Sequence, residues 1–167
     1  EQEQICREQG YDQWLARCLR FQATLHREEG AYDKARLLHE QDEQICRQRK
    51  DDDGLARALD DSAITYMAVG AFNQAASSWK ECESLCRRLG LIQRLQHCLS
   101  VRGRLLRQMG QSHEALKLHQ EEELICRKDG DQGGLQSSPG NQSLVLLDPT
   151  IIECPFQFRH SPEQTSL

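Results

Sequence analysis

The sequence of 167 residues predicts an all-α fold, an α-solenoid built from antiparallel helix pairs. Three observations support this prediction: an internal repeat of forty residues, apolar residues at helical spacing, and a glycine that ends most helices. The motif Ile5-Cys6-Arg7 returns as Ile45-Cys46-Arg47, Leu85-Cys86-Arg87 and Ile125-Cys126-Arg127. Such a constant period is typical of arrays in which each unit buries its apolar face against its neighbours.

The stretch from Asp51 to Gly90 shows one unit in full. Its first half has apolar residues at steps of three and four, the spacing of one helical face. Gly70 is predicted to end this helix, since glycine reaches the left-handed backbone conformation at low cost. The very short connection that follows predicts an antiparallel hairpin. The stripe residues are Leu55, Leu59, Ala63, Tyr66 and Met67, then Phe72, Ala75, Ala76, Trp79, Cys82, Cys86 and Leu89.

The other two units are predicted to bury equivalent stripes. In the first unit these are Trp14, Leu15, Cys18, Leu19 and Ala23, with Leu37, Leu38 and Ile45 from the second helix. In the third unit they are Leu95, Cys98, Leu99 and Leu105.

A second pattern recurs in each unit: a small residue in the first helix, a glycine, an aromatic two positions later, and then an alanine. Its members are Ala23, Gly30, Tyr32 and Ala35, then Ala63, Gly70, Phe72 and Ala75, then Gly103, Gly110 and Ala115. The pattern resembles the tetratricopeptide repeat (TPR), in the longer forty-residue form of kinesin light chains and cell-polarity adaptors. The ICR-x-x-G ending also resembles arrays attached to NACHT-type ATPases.

The resemblance covers roughly residues 1–136 and implies a right-handed superhelix of helix pairs. It departs from the pattern after Gly110, where no aromatic follows, and at Lys50, where a closing glycine is expected. The predicted units are 1–10 as the end of a preceding repeat helix, 11–50, 51–90 and 91–130 as TPR-like repeats, 131–147 as an incomplete repeat, and 148–167 as an irregular tail.

Two features of the chain ends lead to further expectations. Pro139 falls where the other units have a core leucine. Proline inside a helix costs ~3 kcal/mol or more, so the fourth unit is predicted to be incomplete. The chain begins inside a repeat and lacks an initiating Met, so we expect a fragment of a longer protein. Three pairs are near the minimum for an array and neither end has a polar capping helix, so we also expect marginal stability or self-association through the open ends of the solenoid.

Composition limits the function classes. The net charge of −5 argues against nucleic-acid binding. No apolar run approaches the ~20 residues of a membrane span, and no leader opens the chain. We therefore expect a cytoplasmic protein that binds neither membrane nor nucleic acid. The sequence contains no glycine-rich phosphate loop, no G-x-S-x-G elbow and no H-E-x-x-H motif, so we predict neither an enzyme nor a cofactor.

The eight cysteines favour packing over bonding. Cys6, Cys46, Cys86 and Cys126 share one repeated position, and Cys18 and Cys98 share another. Equivalent positions in successive layers lie roughly 8–10 Å apart, too far for a disulfide. We interpret them as small buried hydrophobes in a reducing compartment, and the spacing of Cys82 and Cys86 as only a weak metal signal. The run from Asp51 to Asp53 is predicted to cap the next helix.

The candidate partner-binding residues lie on the face of each first helix that the apolar stripe leaves free. In TPR arrays the first helices line a concave groove, so the resemblance implies that these residues face a ligand. They are Arg17, Arg20, Thr24 and Arg27, then Arg57, Ile64 and Met67, then His97, Arg104 and Arg107. Asp60 is the one acid on this face. The acids predicted for the outer surface are Glu40, Asp42, Glu43, Glu81, Glu83, Glu121, Glu122 and Glu123.

This segregation of charge predicts a noncatalytic interaction scaffold. Arginine binds carboxylates through two parallel hydrogen bonds, so the groove should prefer an acidic segment or one that ends in a free carboxylate. Ile64 and Met67 would contact an apolar side chain at its centre. The alternative is that these arginines pair with neighbouring acids and only solvate this face of the helices. An alternative function is a regulatory array of a larger NACHT-type ATPase, which would fold back on its own polypeptide.

Overall fold

The computed structural model describes Ile5 and residues 11–130 of the chain. Within residues 11–130 it contains six α-helices, separated by two or three residues. None of the described helices is both long and apolar enough to cross a membrane. The helices are α1 (Asp12–Glu28), α2 (Tyr32–Arg49), α3 (Asp52–Ala68), α4 (Phe72–Leu89), α5 (Ile92–Gln108) and α6 (Ser112–Asp129). The predictions for residues 1–10, 131–147 and 148–167 lie outside the described residues.

Each helix packs against the helices that precede and follow it in the chain. The most extensive contacts lie within the pairs α1/α2, α3/α4 and α5/α6, and the next lie between pairs, at α2/α3 and α4/α5. Beyond these neighbours, α1 also contacts α3. Contacts that stay between adjacent elements define a solenoid. The predicted fold class, an all-α array of helix pairs, is therefore confirmed.

One leucine position forms the centre of each pair. Leu19, Leu59 and Leu99 are separated by forty residues and are 0–2% exposed. Three alanines of the second helices, at Ala35, Ala75 and Ala115, are fully buried and allow the helices to approach closely. Burying a leucine side chain contributes about 1.5–3 kcal/mol. The stripe predicted for the third unit is also confirmed, since all of its members are buried.

Some predicted stripe residues lie at the surface instead. Leu37 is 55% exposed, because its position faces outward in every unit and is filled by Ser77 and Lys117 in the others. Trp14 is 57% exposed, because α1 contacts only α2 and α3 among the described helices. Phe72 and Leu89 are partly exposed, and Cys18 is half-buried.

The helix ends follow the predicted capping with one exception. Gly70 has φ of +73°, in the left-handed region where glycine pays no steric cost. Lys50 adopts φ of +55° without being glycine, so the same turn is made at a cost of roughly 1–2 kcal/mol. The predicted cap of α3 is confirmed, since Asp51 Oδ1 accepts a hydrogen bond of 2.8 Å from the Gly54 amide.

Ion pairs on the second helices connect successive units. Arg47 Nη1 lies 2.6 Å from Glu81 Oε1, and Arg87 Nη1 lies 2.6 Å from Glu121 Oε1, one period later. The hydrogen bonds from Arg47 lower the pKa of Glu81. Exposed pairs of this kind contribute less than about 1 kcal/mol each, so they support the spacing of the helices without determining it.

Candidate functional site

A depression of 440 Å³ lies between α3 and α5 on the surface formed by the first helices. We call it the α3/α5 depression. Five of the ten residues predicted to bind a partner line it: Ile64, Met67, His97, Arg104 and Arg107. Its other lining residues are Trp79, Val101 and Gln108.

The depression combines an apolar floor with two cationic side chains. Ile64 and Met67 are half-buried in α3 and pack against the main core cluster. Arg104 is exposed and Arg107 is half-buried, and neither forms an ion pair with a carboxylate within residues 11–130. Two guanidinium groups beside an apolar surface can bind carboxylates bidentately while apolar atoms are buried below them.

Asp60, the acid predicted on this face, is buried beneath the depression. Trp79 Nε1 donates a hydrogen bond of 2.8 Å to Asp60 Oδ1, and His97 Nδ1 lies 3.2 Å from Asp60 Oδ2. Burial acts to raise the pKa of Asp60, but the bonds from His97 and Trp79 lower it overall. The hydrogen bond to Asp60 also raises the pKa of His97. Asp60 thus pairs with His97 and Trp79, and Arg94 Nη1 lies 4.0 Å from its Oδ2. Within residues 11–130, Arg104 and Arg107 are left without a carboxylate partner.

The end of the groove formed by α1 is different, because Arg20 points into the protein. Arg20 Nε lies 2.7 Å from Asp42 Oδ2, and Arg20 Nη2 lies 3.0 Å from Asp42 Oδ1. A third bond of 3.1 Å runs from Arg20 Nη2 to the Gly54 carbonyl. Asp42 is fully buried and burial raises its pKa, although Arg20 opposes that shift. Arg20 thus connects α1, α2 and α3 and is only 17% exposed.

The prediction that the acids of the second helices lie on the outer surface is wrong for two of them. Asp42 is fully buried and Glu122 is 3% exposed. Both occupy the position that Cys82 takes in the second pair, and that position faces the core. The forty-residue period thus places these carboxylates inside. Glu43, Glu83 and Glu123 are also only 13–19% exposed at their side chains.

The remaining cations of the predicted site are partly neutralised. Arg57 Nη2 lies 2.8 Å from Asp53 Oδ2. The Arg17 guanidinium lies 4.9 Å from the centroid of the Trp14 ring, a cation–π contact. A second depression, of 330 Å³, is lined by Arg17, Arg20 and Arg57 together with Asp51 and Asp53, so its charges nearly balance.

Thr24 and Arg27 do not reach the α3/α5 depression. Thr24 Oγ1 donates a hydrogen bond of 3.1 Å to the Arg20 carbonyl within α1. Arg27 Nη1 is buried and has no hydrogen-bond partner among the described residues. Arg27 lies near His39, a fully buried side chain that the sequence analysis did not single out.

The signal that could have found this buried layer is the repeat itself. His39, Trp79 and His119 are separated by forty residues, and all are 0–2% exposed. A polar or bulky aromatic side chain thus fills one core position in each pair. Trp79 also forms part of the α3/α5 depression, so the same position contributes to the candidate site.

A cluster of cysteines could hold a metal ion. Cys82, Cys86 and Cys98 are buried, and their sulfur atoms lie within 4.8 Å of one another. The described cysteines are free thiols, and five of the six are buried as predicted. The Cys82–Cys98 approach was not anticipated, because it joins two different repeat positions at the contact of α4 with α5.

The arrangement of helix pairs and the depression on their first helices define a TPR-like helical repeat fold. No protein-family model and no curated protein sequence match the chain. Solved structures match its fold. BtubC (BKLC) from P. vanneervenii is 19% identical with a TM-score of 0.75, over 85% of this chain and 59% of that one.

Two further solved structures show the same fold. Aspartyl phosphate phosphatase F from Bacillus subtilis is 17% identical with a TM-score of 0.77, over 86% of this chain and 38% of that one. A candidate kinesin light chain from Podosopora anserina with nearly identical TPR-like repeats is 17% identical with a TM-score of 0.70, over 82% and 68%. The chain thus spans 38–68% of the length of these proteins.

Proposed function

We propose that this chain is a noncatalytic protein-interaction scaffold that binds an acidic or C-terminal peptide segment in the α3/α5 depression. The observation that carries the proposal is the pairing of Ile64 and Met67 with Arg104 and Arg107 on one surface. An apolar side chain of the peptide would cover Ile64 and Met67. Carboxylates on either side of it would bind the two guanidinium groups.

The arginines that already have carboxylate partners limit which residues can bind the peptide. Arg20 already binds a buried carboxylate and Arg57 pairs with Asp53, so neither is available at low cost. The basic character of the groove is therefore concentrated on α5. We expect a short recognition segment of one apolar residue flanked by Asp, Glu or a terminal carboxylate, in preference to a ligand that spans all three pairs.

The experiment is a binding measurement with a library of acidic and C-terminal peptides. Wild-type chain is expected to bind a subset in a salt-sensitive manner, because exposed charges are screened by ions. The double substitution Arg104→Ala with Arg107→Ala should weaken binding at least tenfold. Arg36→Ala, on the exposed face of α2, removes one positive charge away from the depression and is the matched control for each single substitution, Arg104→Ala or Arg107→Ala.

Two outcomes would contradict the proposal. Equal loss of binding in the α5 variant and in Arg36→Ala would indicate non-specific attraction to positive charge. If the chain binds no peptide although its circular dichroism shows folded helices, the depression is not a peptide-binding groove. That result would favour the intramolecular, regulatory function that the resemblance to NACHT-associated arrays implies. A peptide that binds with unchanged affinity after Met67→Ala would contradict the apolar contact alone.

A further inference from the structure

Three cysteines from two helix pairs converge where α4 packs against α5. Cys82 and Cys86 lie one turn apart on α4, and Cys98 faces them from α5. The Sγ atoms of Cys82 and Cys98 are 3.1 Å apart, and those of Cys82 and Cys86 are 3.9 Å apart. All three side chains are fully buried. The three sulfurs thus point toward one another in a closed space.

We propose that this cluster is a three-thiolate site for a soft, thiophilic metal ion, with Cu(I) as its preferred occupant. Cysteine sulfur is the ligand type that selects Cu(I) and Zn(II) over hard cations. Metal–thiolate bonds of ~2.3 Å in a trigonal arrangement hold the sulfurs roughly 4 Å apart. The observed distances require shifts of about 1 Å or less, which side-chain rotation at three cysteines can supply.

The number of ligands favours Cu(I) over Zn(II). Structural zinc sites are almost always four-coordinate. Within the described residues, the group of possible ligands at this place contains the three cysteines alone. The Ala56 carbonyl, 3.1 Å from Cys82 Sγ, accepts a hydrogen bond from the thiol. Cu(I) accepts three sulfurs without a fourth ligand.

A cation beside the cluster can offset part of the negative charge. Arg94 lies close enough to Cys86 to favour its thiolate form. Its Nε atom is buried and has no hydrogen-bond partner among the described residues. In the binding step three S–H bonds release three protons and three Cu–S bonds form, while copper stays Cu(I). Because the ion replaces three protons, the affinity should rise with pH.

The site lies between two helix pairs, so it has a structural consequence. Cys82 and Cys86 belong to the second pair, and Cys98 belongs to the third. A bound ion would connect α4 and α5 and restrain the angle between the pairs, because it binds the folded array and not the separated helices. This role is independent of peptide binding in the α3/α5 depression.

The test is an anaerobic titration of the 167-residue chain with Cu(I) against a chromogenic Cu(I) chelator. We expect one tightly held ion per chain, and a loss of affinity of at least 100-fold in Cys98→Ser. Cys46→Ser is the matched control, since Cys46 is a buried thiol at the position equivalent to Cys86 whose neighbour is Asp42 instead. Equal affinity in Cys98→Ser and wild type would overturn the proposal.

X-ray absorption on the copper-loaded wild-type chain decides the question even if Cys98→Ser does not fold. Three sulfur scatterers at ~2.3 Å are expected. Two sulfurs, or a mixture with nitrogen or oxygen, would contradict the three-thiolate site. A parallel titration with Zn(II) tests the choice of ion: tighter competition by Zn(II) than by Cu(I) would overturn the preference for copper. A Cys82–Cys98 disulfide in chain prepared without oxidant would also overturn the three-thiolate site, because two of its sulfurs would be bonded to each other.

Discussion

The first and third helix pairs carry different polar groups at the same three repeat positions. In the first pair a bidentate ion pair lies inside the protein, beside a histidine that has no hydrogen-bond partner among the described residues. In the third pair the histidine Nδ1 lies 3.1 Å from a glutamate oxygen. The first set is Arg20, His39 and Asp42, and the second is Ser100, His119 and Glu122.

The repeat period determines where a side chain lies, whereas its neighbours determine its charge and its hydrogen bonds. His39 and His119 are equally buried. Burial lowers the pKa of His39 to about 4, and the positive charges of Arg27 and Arg20 add to the shift. His119 has an acid beside it instead. The same residue type is therefore held neutral by burial and nearby cations in one pair and lies against a carboxylate in the other.

Removal of the buried carboxylate of the first pair should have the largest effect. Asp42→Ala leaves the Arg20 guanidinium mostly buried without its partner, and breaking one side of a buried pair costs about 3–5 kcal/mol. Glu122→Ala in the third pair should cost less, because it removes one hydrogen bond to His119, whereas Asp42→Ala removes both bonds to a guanidinium group. Urea denaturation followed by circular dichroism measures both.

A double variant separates the cost of an unpaired charge from the worth of the pair. Arg20→Met with Asp42→Leu replaces both charges by apolar groups and should recover most of the loss. If Asp42→Ala costs less than Glu122→Ala, the comparison between the two pairs fails. In that case the ion pair would not be the feature that stabilises the first pair.

The second prediction concerns the stability of the chain at acidic pH. His39 is neutral in the folded chain, with its pKa about 4 instead of 6.5, so the unfolded chain binds a proton first as pH falls. Its contribution is present in full above pH 6.5 and is lost as pH falls from there toward 4, by on the order of 3 kcal/mol. Other groups titrate in this range. The quantity to measure is therefore the difference in unfolding free energy between wild type and His39→Phe at several pH values.

The control for this pH dependence is Leu19→Val, a substitution in the core of the same pair that removes only apolar atoms. We expect His39→Phe to become more stable relative to wild type as pH falls from 6.5 to 4. Leu19→Val should lower the free energy of unfolding without changing its dependence on pH, because it removes no titratable group. Parallel pH profiles for His39→Phe and wild type would show that His39 titrates normally and that the cations near it are screened.

The helix pairs could be predicted from the sequence because their determinants are local and repeat. Leu19, Leu59 and Leu99 recur at one step, and each is buried in the same place. Where the prediction of burial was wrong, the residue type did not match the position. Leu37 is apolar at a position that faces outward in every pair, and Asp42 is charged at a position that faces inward in every pair. Burial follows the position in the repeat, so the prediction of burial from residue type alone was wrong at these two residues.

The candidate site could be predicted only in part. Helical spacing brought Ile64 and Met67 to the same surface as Arg104 and Arg107, and the structure has them around one depression. Spacing could not show that Arg20 is bound by Asp42, because that contact joins two helices at different repeat positions. The approach of Cys98 to Cys82 was missed for the same reason. Contacts between unlike positions depend on the angle between helices, which the period does not encode.

The smallest of the three effects tests how tightly the third pair is packed. A Cβ atom at Gly103 would lie 2.6 Å from Cε1 and Nε2 of His119, whose ring is buried and bonded to Glu122. Gly103→Ala gains up to about 1 kcal/mol of helix propensity, but overpacking costs about 1–3 kcal/mol. We expect a net loss of roughly 1 kcal/mol in thermal or urea unfolding. The first pair has Ala23 at this position, so it already accommodates a Cβ atom there.

The control is Gly103→Ala combined with His119→Ala, compared with His119→Ala alone. Once the ring is absent the added methyl group has space, and the same substitution should become stabilising through helix propensity. A change of sign between the two backgrounds assigns the loss to the ring. If Gly103→Ala stabilises the wild-type chain, the ring moves at little cost, and the His119–Glu122 contact does not hold it in the way that the Arg20–Asp42 pair holds α1 against α2.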